Sequence, residues 1–415
     1  MSILRSRVRS ARRVLVGAAA ATFAAQLVAA GTVVGVDALR KRRTTEAHGA
    51  PDHEPSSTAV GENAVTTYTY GEHLYDAMLE AIDGATEYVY LASYIWKGDD
   101  LGQRFKDALI AAAGRGVQVC VVFDGFANVV VPREFKKFPE PLAVLKFPTV
   151  RGGFLLNLRR TGRDHRKILV VDGRVGFVGG YNIGGLYATQ WRDTHVRVEG
   201  PSVWELTNTF VDFWNRHRKR IHPDLPNSGN DDWTGPVRAA RNEPSRLVYP
   251  VRGIYLEAID RATQRVWITQ GYFIPDREIV DGLLTAAERG VDVRVIMPAV
   301  SNHVIADWVA RSRFSELLRG GVRLYLYEGA MVHAKTATVD GRWSTVGTAN
   351  IDRLSLLGNY EVNLEFRDRD HAAEMEAIFR RDLENCHELT AEEWADRSLL
   401  ARVAEGLLDP FSPLL

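Results

Sequence analysis

"HRKILVVDGRVGFVGGYN", residues 165–182, returns as "HAKTATVDGRWSTVGTAN", residues 333–350. Both stretches read His-x-Lys, four residues, Asp, six residues, Gly followed by Gly or Thr, one residue, Asn. The repeat reaches well beyond this frame. "LEAIDGATEYVYLASY" at 79–94 matches "LEAIDRATQRVWITQG" at 256–271, and "AAAGRGVQVCVVF" at 111–123 matches "AAERGVDVRVIMP" at 286–298. A period this long is foreign to solenoids and indicates two domains of one fold, packed as a pseudo-dimer.

Each half alternates helical and strand patterns. "HLYDAMLEAI" carries apolar residues at helical spacing and "EYVYLASYI" reads as a buried strand; "LGQRFKDALIAAAGRG" and "VQVCVVFDG" repeat the alternation. Helices between short apolar strands predict an α/β domain with its sheet covered on both faces. A helix is expected over 203–220, with Trp204, Phe210, Phe213 and Trp214 in its buried stripe.

Inside the frame, His165 and Lys167 are two apart, so a strand places them on one face. Asp172-Gly173 and Asp340-Gly341 are hairpin-turn signals between apolar runs. The return strand brings Asn182, or Asn350, back toward the His and Lys, and its glycines are expected to let a ligand approach the backbone. Histidine, lysine and asparagine suit a phosphate: a titratable nitrogen, a fixed cation and an amide donor. A carboxylate follows each histidine at the same offset, Asp193 after His165 and Glu361 after His333. Each is expected to orient the histidine of its own copy.

Lys+Arg and Asp+Glu both number 52, so the net charge is zero, which weighs against a protein that grips nucleic acid through phosphates. Cys120 and Cys386, the two cysteines, form no metal-ligand cluster and no disulfide framework. Residues 1–43 hold an uncharged run from Val14 to Val36 between arginine-rich flanks, long enough to span a bilayer, and are expected to anchor the chain at a cell membrane. Cleavage after the Ala-rich end "LVAAGT" is the alternative. Residues 44–64 have linker composition, and 222–245 read as the loop between a first domain at 65–221 and a second at 246–390. The basic cluster at 216–220 is either a solvated helix end or a contact for anionic lipid. The tail at 391–415 is amphipathic, suited to docking on the fold or on a membrane surface.

The doubled H-x-K-x4-D frame with downstream Gly and Asn (regions 160–187 and 328–355) resembles the phospholipase D superfamily. "GGYNIGG", "WRDTHVRVEGP", "GTANIDRLSLLGNYEVNL" and "DPFSPLL" look most like bacterial cardiolipin synthases. The resemblance implies an α/β fold of two similar domains, each a mixed β-sheet flanked by helices, related by a pseudo-two-fold. It implies a phosphatidyl transferase acting on phosphatidylglycerol through a covalent phosphohistidine, releasing glycerol, without metal or other cofactor. The catalytic set would be His165, Lys167, Asp172, His333, Lys335 and Asp340, with Asn182 and Asn350 binding substrate, and His165, in the N-terminal copy, as nucleophile. A pure turn role competes for Asp172 and Asp340. A membrane phospholipid is the implied partner and nucleic acid is not; both half-sites in one chain suit a monomer. Hydrolysis of a phospholipid by the same chemistry is the alternative, and a non-catalytic scaffold is opposed by the intact His and Lys of both frames.

Overall fold

The computed structural model describes residues 49–148, 162–227, 229, 234–398, 402, 403 and 405. The apolar run 14–36 and most of the C-terminal tail lie outside them. Among the described residues, no helix is long and apolar enough to cross a membrane.

The first half builds an eight-stranded sheet from β1 (Ser56–Val60), β2 (Asn63–Tyr68), β3 (Tyr88–Ser93), β4 (Gln118–Asp124), β5 (Ala143–Phe147), β6 (Ile168–Val171), β7 (Val175–Gly179) and β9 (His195–Glu199), with the short β8 (Trp191–Arg192) outside it. The second half does the same with β10 (Val237–Asn242), β11 (Arg265–Gln270), β12 (Asp292–Pro298), β13 (Arg323–Tyr327), β15 (Lys335–Val339), β16 (Trp343–Gly347), β17 (Glu361–Phe366) and β18 (Cys386–Leu389), leaving β14 (Met331–Val332) outside. The orders are β1-β2-β9-β7-β6-β3-β4-β5 and β10-β17-β16-β15-β11-β12-β13-β18. Seven strands correspond one to one, β2 with β10 through β5 with β13. In both, β3–β4–β5 or its counterpart is parallel and the rest antiparallel. Internal duplication is therefore present in the topology itself.

The halves meet through their sheets. One apolar core holds Val178, Val196 and Val198 from the first half with Val346, Val362, Leu364 and Phe366 from the second. Two backbone bridges cross the same seam and are related by the pseudo-two-fold: Asp164 pairs with Tyr360, and Val332 of β14 with Arg192 of β8. The Arg192 guanidinium is buried and grips Asp382 at 2.9 and 2.8 Å, fixing that seam from the second half.

Three boundaries differ from the sequence reading. The first strand begins at Ser56, inside the segment assigned as linker, because Gly61 in the left-handed region turns β1 back on β2. The 222–245 segment is not all loop: Val237–Asn242 is the edge strand β10, paired with β17 along its whole length. Polar edge strands carry little hydrophobic signal, so both were invisible to periodicity. The helix after β9 runs Val203–His217; Phe210, Phe213 and Trp214 are buried in it, whereas Trp204 is only half-buried.

Candidate active site

Each Asp-Gly pair makes the turn its sequence predicts. Asp172 and Gly173 have φ of 52° and 62°, Asp340 and Gly341 of 53° and 59°, and Arg174 N–H closes the first turn on the Val171 carbonyl at 3.0 Å. The turns lie at the opposite ends of β6 and β15 from the histidines, so neither aspartate joins the catalytic groups. The buried Asp172 carboxylate accepts the N–H groups of Thr86, Glu87 and Tyr88, each at 2.8 Å, and the Thr86 hydroxyl at 2.9 Å. Asp340 accepts the equivalent four donors from Thr263, Gln264 and Arg265. Burial raises the Asp172 pKa, but those N–H groups outweigh it and bring it to about 2. These two members of the expected catalytic set instead staple the hairpins to the connections that lead into β3 and β11.

A carboxyl with a depressed folded pKa contributes stability above the unfolded value near pH 4 and loses it as pH falls through about 2. Asp172→Asn is expected to cost about 2 kcal/mol at pH 7, from charge-assisted bonds lost to a neutral amide. The difference from wild type should shrink between pH 4 and 2 in denaturant melts. Turnover per folded molecule should stay within about 3-fold; a collapse of turnover at unchanged stability would restore a chemical role to the aspartate.

At the other end of the strands, His165, His333, Asn182 and Asn350 line one cavity of about 610 Å³. Tyr94 stands edge-on to His165 at 4.5 Å between ring centroids, and Trp191 lies against His333 at 5.0 Å. Asn182 Oδ1 accepts the Ile95 N–H at 3.1 Å, which leaves its amide N–H groups as donors. The buried Asn350 Oδ1 has no hydrogen-bond partner among the described residues.

The orienting carboxylates are crossed between the halves. His165 Nδ1 lies 2.9 and 3.0 Å from the two oxygens of Glu361, and His333 Nδ1 lies 2.6 Å from Asp193 Oδ2. The equal offset marked the right four residues and the wrong partners. The two bridges across the seam explain why. His165 N–H donates to the Tyr360 carbonyl at 3.0 Å and His333 N–H to the Arg192 carbonyl at 2.7 Å. Each histidine therefore lies beside the residue before the other half's carboxylate.

The glycines of the frame serve this arrangement and not a ligand. A Cβ on Gly180 would fall 2.0 Å from Asp193 Oδ1, and one on Gly347 2.2 Å from Asn363 Oδ1. Thr348, at the position of Gly180, instead donates its hydroxyl to Glu361 Oε2 at 2.6 Å. The Gly-or-Thr variation thus tracks the carboxylate beside it, Asp with Gly and Glu with Thr. Thr348 was the functional neighbour that sequence reading passed over, although the mismatch within an otherwise strict frame was its signal.

Lys167 and Lys335 are buried, and each donates to the carbonyl of the histidine two residues earlier, Lys167 at 2.6 Å. Burial lowers Lys167 to about 7, with Lys335 adding to the fall against the pull of Glu361; burial lowers Lys335 to about 8 against Asp193. Burial and then the two lysines hold His165 well below its ordinary value, and burial followed by Lys335 brings His333 to about 3. The carboxylates diverge. Burial raises Glu361 to about 8 despite Lys167, whereas for Asp193 the charges of Lys335 and His333 outweigh burial and hold it below the usual range. Asp164 and Arg166, which flank His165, pair with each other at 2.7 Å and add no net charge to it.

Two histidines with Nδ1 occupied, Nε2 left for the cavity, and two buried ammonium groups define a phosphoryl-transfer site of the doubled His-x-Lys type. Matching against known proteins identifies its family. The family model described as "Cardiolipin synthase, PLD-like domain" matches residues 78–214 and again 255–383. Cardiolipin synthase 2 of Staphylococcus epidermidis is 33% identical over 371 residues, 85% of this chain and 75% of that one. The major cardiolipin synthase ClsA of Bacillus subtilis is 33% identical over 368 residues, 85% of this chain and 76% of the relative. The crystal structure of a phosphatidylserine synthase from Haemophilus influenzae shares the fold, with a TM-score of 0.64 at 15% identity, over 87% of this chain and 95% of the other. The chain belongs to the cardiolipin synthase-like family of phosphatidyltransferases within the phospholipase D superfamily.

Proposed function

We propose that the protein makes cardiolipin from two molecules of phosphatidylglycerol at a membrane, through a phosphatidyl group held on His165. The observation that carries this is the sharing of one cavity by two histidines, each oriented by a carboxylate of the opposite half. Nε2 of neutral His165 attacks the phosphorus of the first lipid. The P–O bond to glycerol breaks, and His333 gives its proton to the departing oxygen. A headgroup hydroxyl of the second phosphatidylglycerol then loses its proton to His333 and attacks phosphorus, the P–N bond breaks, and cardiolipin leaves with both histidines restored. The ionised Asp193 beside His333 supports the protonated form that an acid needs, and it favours His333 for that role. Burial and then Lys335 depress His333, and a bound phosphodiester anion cancels the lysine contribution.

Lys167, Lys335, Asn182 and Asn350 are the groups suited to the non-bridging oxygens, which gives the phosphate its counter-charge from side chains. Binding should therefore be coupled to protons. At pH 8 the lysines at about 7 and about 8 are partly neutral, and an anion between them raises both. Titration calorimetry with inorganic phosphate, run in two buffers of different ionisation heat, should show uptake of about one proton per site. Proton release would contradict the assignment.

The test of the reaction is mass spectrometry of lipids after incubation of purified protein with phosphatidylglycerol and a chelator. Cardiolipin and free glycerol are expected, undiminished by the chelator. Phosphatidic acid as the sole product would make the protein a hydrolase, and activity lost to the chelator and restored by a divalent ion would refute metal independence.

A further inference from the structure

A second groove, of about 1090 Å³, runs along the edge strand β5, from the 140–144 segment at its start to Lys146, and reaches Phe123 near the end of β4. Arg133, Lys136, Lys146 and Lys219 line it with a single carboxylate, Glu140, in a chain whose total charge is zero. None of the four cations pairs with a carboxylate among the described residues; the neighbouring Glu134 is taken by Lys137 at 2.8 Å. They crowd one another: after its own burial, the charges of Lys146 and Arg133 push the Lys136 ammonium down. Large apolar side chains stand on the same rim, uncovered. Val130 is 82% exposed, Ile221 84% and Val129 61%, with Phe126 half out of the protein in the same loop. Leaving valine, isoleucine and phenylalanine in water beside unpaired cations is costly for a purely solvated surface.

This surface is rigidly joined to the site. Asn128, in the middle of the apolar loop, donates to the Tyr94 carbonyl at 2.7 Å and accepts the Trp96 N–H at 2.8 Å, and Lys136 donates to the Asn128 carbonyl at 2.7 Å. Tyr94 is the ring packed on His165. On the other flank, the Arg163 guanidinium covers the Phe126 ring at 4.2 Å, while Arg163 N–H donates to Asn359, a residue of the cavity wall.

We propose that this loop and groove dock the protein on the surface of an anionic phospholipid bilayer, with Phe126, Val129, Val130 and Ile221 entering the headgroup layer and the four cations meeting lipid phosphates. The charge complementarity selects this occupant: an apolar protein partner has no use for the cations, and a free anion none for the exposed valines. Docking of this kind sets the mouth of the catalytic cavity at headgroup depth, where a phospholipid can enter without its acyl chains leaving the bilayer. The inference rests on the phosphatidyl-transfer reading for its purpose, but its test does not.

The experiment uses the full chain in lipid nanodiscs, so that any anchoring by residues 14–36 is the same in every sample. A polarity-sensitive fluorophore is attached to Val130→Cys in a Cys386→Ser background; the other native cysteine, Cys120, is buried. A second label at Glu288→Cys, which closes the helix leading into β12 at the end of the sheet away from the cavity, is the control. The label at 130 should shift to the blue in discs containing phosphatidylglycerol and stay unshifted in discs of phosphatidylcholine alone, with no shift at 288 in either. The exposed triple change Arg133→Glu, Lys146→Glu and Lys219→Glu should abolish the shift. It should also cut turnover of disc-borne lipid about 100-fold, taking roughly five-fold per cation at an anionic surface. Turnover of monomeric short-chain phosphatidylglycerol should stay within about 2-fold. An equal shift in neutral discs, an equal shift at 288, or survival of the shift in the triple variant overturns the proposal. A shift that grows with protein concentration without lipid also overturns it, and assigns the groove to a second copy. If the protein makes no cardiolipin, the fluorophore still reports docking; if cardiolipin forms and position 130 stays dark to anionic lipid, only this inference falls.

Discussion

His165→Ala is expected to abolish turnover, by at least about 10⁴-fold, and to leave no lipid on the protein when labelled phosphatidylglycerol is added. The nucleophile forms the bond to phosphorus itself, and His333, paired with the ionised Asp193, is held for the acid role and not for attack. His333→Ala should lose turnover to a similar degree, since it serves both half-reactions, yet should still accumulate some label on His165, because glycerol can depart slowly without its acid. Acid-quenched protein read by intact mass would carry the phosphatidyl increment in the His333 variant alone. Label on the His165 variant, mapped to His333, would exchange the two roles and leave the two-histidine site in place.

The second large effect separates the two crossed dyads by the chemistry of the leaving group. Asp193→Asn removes the ionised carboxylate 2.6 Å from His333 Nδ1, and with it the support for the protonated imidazole. With phosphatidylglycerol, kcat/KM should fall by about 10²- to 10⁴-fold, the range over which general acid–base groups contribute. A phosphodiester that releases p-nitrophenol needs no proton on departure. Its burst of one p-nitrophenol per site should survive in Asp193→Asn and in His333→Ala, and vanish in His165→Ala. A same-copy pairing would make Asp193→Asn behave like a defect of His165, with the burst lost. This result reads the crossing directly, because Asp193 and His165 belong to one half of the sequence and Asp193 and His333 to one hydrogen bond.

How far sequence reaches is visible at that dyad. The frame around His165 and His333 exposed the duplication, the mixed sheet, the turn at each Asp-Gly pair and the convergence of His, Lys and Asn, since these follow from local spacing and strand alternation. Asp193 and Glu361 were found by their offset, but the partner of each lies across the pseudo-two-fold, and an offset within one copy carries no information about a contact between copies. Asp172 and Asp340 looked catalytic because they sit in the frame; the frame is kept there by a turn and by N–H groups just before β3 and β11 that lie about 85 and 76 residues away in sequence. Gly179, Gly180 and Gly347 looked like room for a ligand and are room for neighbouring side chains, a distinction set by packing across β7–β9 and β16–β17. Edge strands β1 and β10 were read as linker and loop because a polar strand paired on one side resembles both.

A covalent step on His165 leaves its mark in the stereochemical course at phosphorus. Phosphatidylglycerol made chiral at phosphorus with sulfur and an oxygen isotope is converted to the transfer product, and the configuration is read by phosphorus NMR. Two in-line displacements, first by His165 and then by the incoming hydroxyl, each invert the centre, so net retention is expected. Net inversion would mean a single direct displacement by the second lipid, with no phosphatidyl group on His165.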